Sequence, residues 1–423
     1  MARILLRGTS SGLTRGVLGY WWSMHVAIVG TYPPTRCGIA TFTADVEQSL
    51  RDLGTKVTII GVDPEEANAG PSIHRHDPSS YTGAARWVNN SDVDIVLVQH
   101  EFGVYGGADG DMLLRFTDAL RVPYIVTLHT VLSPFKPKQA SVLEALCSSA
   151  AAVTVFTTTG RNMLVEQEIC PADRVRIVPH GAPLELYGLV DQAAARTSFG
   201  LPSTGPIVST FGLLSEGKGI EVAIRALAKV VIDDPNIRYV IAGRTHPEVV
   251  RKDGERYRDS LVRLVSEFGL EENVVFLDRS LSVEDLAQLL AITDVFCTPY
   301  HGEGQIVSGA LTFARAAGCP VVSTPYRYAS DVLVDGAGLL VEFDDCDGMA
   351  AAMGRLLEDG PTRTAALAAA QRYASGASWP AVGQTLLRVL SQSLAPVQSL
   401  RVPSSVSAMP VVVSKGVKTV LQV

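Results

Sequence analysis

The sequence predicts an α/β protein of two Rossmann-like domains, each a parallel sheet covered by helices on both faces, with a ligand cleft between them. Three observations predict it. From His25 onward short apolar runs alternate with helical stretches: HVAIVG, KVTIIGV, VDIVLVQ, VPYIVTLH, AAVTVFTT and VRIVPHG. After a polar connection near Gln192–Gly205 the alternation restarts with PIVSTFG, RYVIAG, NVVFLD, DVFCTPY, CPVVSTP and GLLVEF. The length, 423 residues, suits two such units.

Each element follows from its composition. Strands that are apolar on both faces and separated by helices imply a parallel sheet between helical layers. In the second half the intervening helices are expected at Gly219–Val230, Tyr257–Phe268, Val283–Ile292 and Gly309–Ala317. Open α/β sheets bind ligands beyond the carboxyl ends of their strands, so two in tandem place the cleft between the domains. The expected organisation is 24–200 for the N-terminal domain and 201–377 for the C-terminal domain. A crossing helix over 378–394 has Ser378 as its N-cap and Pro380 in its first turn, with Trp379 helping it pack. Residues 395–423 read as a mobile tail. Residues 1–23 are basic and carry Trp21 and Trp22, but glycines, serines and threonines break their apolar run. They read as a disordered extension or a misassigned start, with folding from Met24.

Composition narrows the partners. A formal charge of -7, with 47% hydrophobic and 19% charged residues, describes an ordinary globular protein without the basic face that nucleic acid requires. The six cysteines, Cys37, Cys147, Cys170, Cys297, Cys319 and Cys346, show neither a CxxC nor zinc-ligand spacing, so a reduced, cytoplasmic protein is expected. No apolar run is long enough to span a bilayer, which leaves peripheral membrane contact open.

Several loops carry polar groups where strands meet the cleft. GTYPPTRCGIATF hands a glycine turn at Gly38 to a helix, where free amides approach an anion closely; a simple tight turn is the plainer alternative. His100 and Glu101 follow one strand, His129 another and His180 a third. Any one such histidine is commonly a packing residue, and with no HxH or HExxH a metal site is the weaker alternative. Lys218 lies between glycines at a helix start in GLLSEGKGIEV, placed for a diphosphate. In PYHGEGQIVSGAL the backbone from Gly304 through Gln305 and Ile306 to Val307 offers donors to a phosphate, and Glu303 is expected beside a transferred sugar.

The order of these motifs resembles family 4 of the retaining glycosyltransferases. The glycine turn, the TLH strand end, GLLSEGKG, DVFCTPY and the helix ending AAGCPVV match in sequence and approximate spacing. The resemblance covers nearly everything from Met24 to about Leu394. It implies the GT-B fold and a nucleotide diphosphate sugar held by the second domain. It also implies a hydroxyl-bearing acceptor in the first domain, and transfer of a hexosyl group with retention and no metal or other cofactor. His129 and Glu303 are then the implied catalytic pair, and Lys218, Gly38 and residues 304–307 the diphosphate site. Arg36, His100, Glu101, His180, Arg244, Arg279 and Ser308 are further implied donor or acceptor contacts.

Two positions depart from the family pattern. Leu213 stands where an arginine usually supplies a second diphosphate charge, leaving Lys218 alone or helped by Arg244 or Arg279. The family's glutamate pair falls on Gln305 and Phe313; Glu303 could replace the first, and nothing obvious replaces the second, which commonly grips the ribose. Asp331 could contact ribose or orient its loop. A sugar phosphorylase or nucleotide-sugar epimerase on the same fold, and a non-catalytic sugar-nucleotide-binding protein, are the rival readings.

Overall fold

The computed structural model describes residues 24–394, apart from Arg36, 67–69, Asp335 and the side chain of Ser375. The N-terminal extension and the C-terminal tail therefore lie outside the described residues, as does the expected contact at Arg36.

The first sheet contains β1 (His25–Gly30), β2 (Lys56–Gly61), β3 (Ile95–His100), β4 (Tyr124–Leu128), β5 (Ala152–Val155) and β6 (Val175–Ile177), in the order β2-β1-β3-β4-β5-β6. The second contains β7 (Ile207–Phe211), β8 (Arg238–Ala242), β9 (Val274–Leu277), β10 (Val295–Thr298), β11 (Val321–Ser323) and β12 (Leu339–Leu340), in the order β12-β11-β10-β7-β8-β9. Every neighbouring pair is parallel. β1, β3, β4 and β5 are buried at every position, which explains why their sequences are apolar without alternation.

Chain direction across each sheet reverses once, between β1 and β3 in the first and between β7 and β10 in the second. Loops leaving adjacent strands there diverge to opposite faces and open a crevice. The helix Gly38–Asp52 starts from the first crevice and Gly309–Ala316 from the second, so both point their N-termini at the space between the sheets.

The second half's helices fall within a residue or so of expectation, at Ile220–Val230, Arg256–Glu267, Val283–Ala291 and Gly309–Ala316. Gly219 falls outside its helix because it takes a left-handed φ of 60°, and a Cβ there would lie 1.9 Å from the Pro299 carbonyl oxygen. Sequence reading missed Pro247–Asp253, a short helix that buries no residue and so has no apolar stripe to betray it. His180 is not at a strand end: β6 stops at Ile177.

The last helix, Trp379–Leu394, returns to the first domain. Trp379 N donates to the Ala182 carbonyl at 3.0 Å and Ala182 N to the Ala377 carbonyl at 2.7 Å, a two-rung ladder joining the segment after β6 to the end of the chain. Val382, Leu386 and Leu390 then share a core with Val26, Phe42, Val46 and Leu50. Contact with the helix Gly38–Asp52 is close: Ser49 Oγ donates to the Trp379 carbonyl at 2.9 Å, and a Cβ on Gly383 would meet Ser49 Oγ at 1.8 Å. Gly383→Leu is expected to push the helices apart and lower stability by about 1–3 kcal/mol, read as a lower urea midpoint.

Candidate functional site

A cleft of about 1010 Å³ lies between the two domains. Its N-terminal wall includes Cys37, Phe42, Asp45, Glu101, His129 and His180, and its C-terminal wall Leu213, Arg244, Arg279, Gln305, Val307 and Phe313. Side-chain contacts cross between the domains beside it. Asp331 accepts hydrogen bonds from Thr159 Oγ1 at 2.5 Å and Thr159 N at 3.2 Å, and Arg327 Nη1 approaches Met163 Sδ at 3.5 Å. Asp331 therefore ties one domain to the other.

Histidines dominate the N-terminal wall, and burial keeps them neutral. His129 Nε2 lies 2.9 Å from Gln99 Oε1, and its ring packs edge-on against Phe42 at 4.9 Å. Loss of solvent is the main reason its pKa falls to about 3, reinforced by the neighbouring His180 and His100. His180 hydrogen-bonds the Gly181 carbonyl through Nδ1 at 2.7 Å, contacts Phe42, Phe156, Phe313 and Trp379, and drops to about 4 by burial. A neutral imidazole whose one nitrogen donates to a carbonyl presents the other as an acceptor, the polarity suited to a sugar hydroxyl.

Two carboxyls share this wall. Glu101 is already engaged, accepting from Thr130 Oγ1 at 2.5 Å and Phe102 N at 2.9 Å, and burial raises its pKa. Asp45, one helical turn beyond Phe42, has no ion pair. The Trp379 indole N–H approaches it without completing a hydrogen bond. Desolvation, with Glu185 nearby, lifts the Asp45 carboxyl to about 7 against the lowering influence of Trp379.

The C-terminal wall is cationic and apolar. Arg244 lies at the end of β8, exposed and without an ion pair, whereas Arg279 is paired with Asp285. Ser308 caps the helix Gly309–Ala316, its Oγ accepting from Leu311 N at 3.2 Å. That cap leaves the first amides, at Gly309 and Ala310, directed at the cleft. Phe313 lies beside Phe211, ring centroids 6.3 Å apart, and against His180 at 6.0 Å.

Of the sequence-predicted residues, the cleft gathers Gly38, Glu101, His129, His180, Arg244, Arg279, Gly304, Gln305, Ile306 and Val307. Four are placed elsewhere. His100 is fully buried against Phe102 and Tyr105, with neither ring nitrogen partnered, because its strand end turns into the core. Glu303 faces outward, its side chain 68% exposed and 3.7 Å from Arg327, because its loop turns there before re-entering the cleft at Gly304. The Lys218 ammonium sits over the Tyr300 ring at 4.0 Å, just outside the wall, and Ser308 is consumed by its cap. Gln305 turns back on its own loop, Nε2 donating to the Val307 carbonyl at 2.8 Å. Among the described residues no three of histidine, cysteine, aspartate and glutamate gather to hold a metal ion.

Sequence reasoning missed Gln99, Asp45 and the Phe211–Phe313 pair. For Asp45 a signal existed: Gly38, Thr41, Phe42 and Asp45 recur at helical spacing and form one stripe.

Comparison with known proteins follows the same geography. Residues 37–186 match the family described as Glycosyltransferase Family 4, and residues 191–373 the one described as Glycosyl transferases group 1. The chain belongs to glycosyltransferase family 4. Among its relatives in the family, a D-inositol 3-phosphate glycosyltransferase of Nocardia farcinica is 30% identical over 295 residues, covering 66% of this chain and 63% of that protein. The match thus spans less than two thirds of that relative's length. A phosphatidyl-myo-inositol mannosyltransferase of Mycolicibacterium smegmatis is 25% identical over 375 residues, 83% of this chain and 89% of its own. Among solved structures, Anabaena HepE in complex with UDP and glucose superposes with a TM-score of 0.69 at 17% identity, over 87% of this chain and all of that one. Sucrose-phosphate synthase from Thermosynechococcus elongatus gives 0.71 at 18%, over 87% and 98%. The two facing sheets are those of the GT-B fold of this family. No helix among the described residues is long and apolar enough to cross a membrane.

Asp45 gives a pH signature. The native state keeps this proton up to about pH 7, whereas the unfolded chain loses it near 3.8, so ionisation costs stability as pH rises between those values. Asp45→Asn is expected to match the wild type at pH 4 and exceed it at pH 8, by up to about 4 kcal/mol. Urea denaturation at the two pH values reads the difference.

Proposed function

We propose that the chain transfers a hexosyl group from a nucleotide diphosphate sugar to a hydroxyl-bearing acceptor, with retention and without a metal. The observation that carries the reading is the polarity of the cleft: a free Arg244 and a helix start on one wall face neutral histidines and carboxyls on the other. A departing nucleoside diphosphate gains negative charge as the glycosidic bond breaks, and arginine and helix amides stabilise that charge most where it develops. Arg244 takes the diphosphate role that Leu213 cannot, with Arg279 behind it and Lys218 at the margin. His129 accepts a hydrogen bond from a hydroxyl of the transferred sugar. The UDP and glucose bound by Anabaena HepE support the donor class, and the resemblance to retaining family members supports retention.

The apolar Phe313 argues for a donor held by its diphosphate and by contact of its base with the aromatic and aliphatic wall, without a carboxylate grip on ribose. A non-catalytic binder would use the same wall, and the inward-turned Gln305 is the observation that favours it.

The test is calorimetry of the full chain against UDP-, GDP- and ADP-sugars with and without EDTA, followed by product analysis. One donor bound equally with and without EDTA, and sugar transferred with retained configuration, is the expected result; donor binding without transfer or hydrolysis selects the non-catalytic reading. Arg244→Ala is expected to weaken donor binding by about 1.5–3 kcal/mol, roughly tenfold to more than a hundredfold in Kd. An unchanged Kd removes Arg244 from the diphosphate site.

A further inference from the structure

Resting on the transferase reading, we propose that Asp45 binds the acceptor, and that the part of the acceptor entering the N-terminal wall carries free hydroxyls and no phosphate. The carboxyl lines the cleft on the stripe that also presents Phe42, yet the protein supplies it with neither a cation nor a completed hydrogen bond. Behind it, the Trp379 indole is buried, its N–H unpartnered and directed to the same place. Trp379 itself is wedged where a Cβ on Gly181 would lie 2.3 Å from its ring, so the indole is fixed by backbone on one side and by Phe42, at 5.3 Å, on another. An unpaired carboxyl held open to a cleft by a rigid aromatic is a hydrogen-bond partner for hydroxyls, accepting from them when ionised and also able to donate when protonated.

The surrounding groups disfavour a phosphoester there. Among the described residues lining the cleft, both arginines belong to the C-terminal wall, and the N-terminal wall carries the carboxyls of Asp45 and Glu101 beside neutral His129 and His180. A dianion would lie beside two carboxyls that repel it once ionised, while the arginines among the described lining residues stand on the opposite wall. The one anion-binding feature on this side is the helix start at Gly38. It lies seven residues before Asp45, about 10 Å along the axis at 1.5 Å per residue, and serves the donor phosphates in the reading above. A sugar or cyclitol hydroxyl, by contrast, can donate to Asp45 and accept from a neighbouring group at once. The inferred substrate class therefore differs from the anionic acceptors named for the relatives, D-inositol 3-phosphate and phosphatidyl-myo-inositol.

The full chain, supplied with the donor that calorimetry selects, is assayed for transfer to glucose, mannose and myo-inositol and to the monophosphate of each. Expected are transfer to at least one unphosphorylated compound, at least tenfold preferred over its phosphate, and a rise of about tenfold in acceptor KM for Asp45→Asn with donor Kd unchanged. Trp379→Phe, which removes the N–H and leaves a smaller aromatic ring in its place, is expected to raise acceptor KM less than Asp45→Asn does. Equal or better use of a phosphorylated compound, an unchanged acceptor KM in Asp45→Asn, or donor binding without transfer to any of the six compounds overturns the inference. Failure to bind any donor overturns the transferase reading, and this inference with it.

Discussion

The cleft depends on how the chain's end is tied to its middle. Two backbone hydrogen bonds between Ala182 and the Ala377–Trp379 segment pass the last helix back to the first domain, and Ser49 receives it. Much of the N-terminal wall is arranged around that junction. The indole of Trp379 sits behind Asp45, beside Phe42 and His180, so the strap that joins the domains is also the back of the N-terminal wall. Relative placement of the two sheets and chemistry of the wall are thus set by the same few residues.

Across the junction, polarity is divided between the domains. Solvent exclusion holds the histidines neutral on one side, and a strand end and a helix start supply positive character on the other. Such separation suits a reaction in which charge moves toward the leaving group while the attacking group stays uncharged. The Asp331–Thr159 contact spans the same gap and links the two domains.

Much of the fold was legible because strands buried on both faces have few polar positions to blur them, and because loops at the switch points are rich in glycine. Gly38 and Gly304 could be placed at the cleft for that reason. Side-chain direction was harder. His100 and His129 look alike in sequence, each at the end of an apolar strand, and only packing by Phe102 and Tyr105 decides that one turns inward. Glu303 attracted notice as the carboxylate nearest a missing one, but two residues of loop are enough to point a side chain to the opposite side. Asp45 escaped because an acid in a helix is ordinarily solvated, and the neighbours that distinguish it, Trp379 and Glu185, are remote in sequence.

The returning helix also sets a temporal order. Val382, Leu386 and Leu390 complete the packing around Val26, Val46 and Leu50, yet they leave the ribosome after the whole second domain has been made. Throughout synthesis the first domain carries an uncovered apolar strip on the helix Gly38–Asp52, and it must await its final layer while the second sheet assembles beside it. Each half has its own sheet, but the first half is finished last.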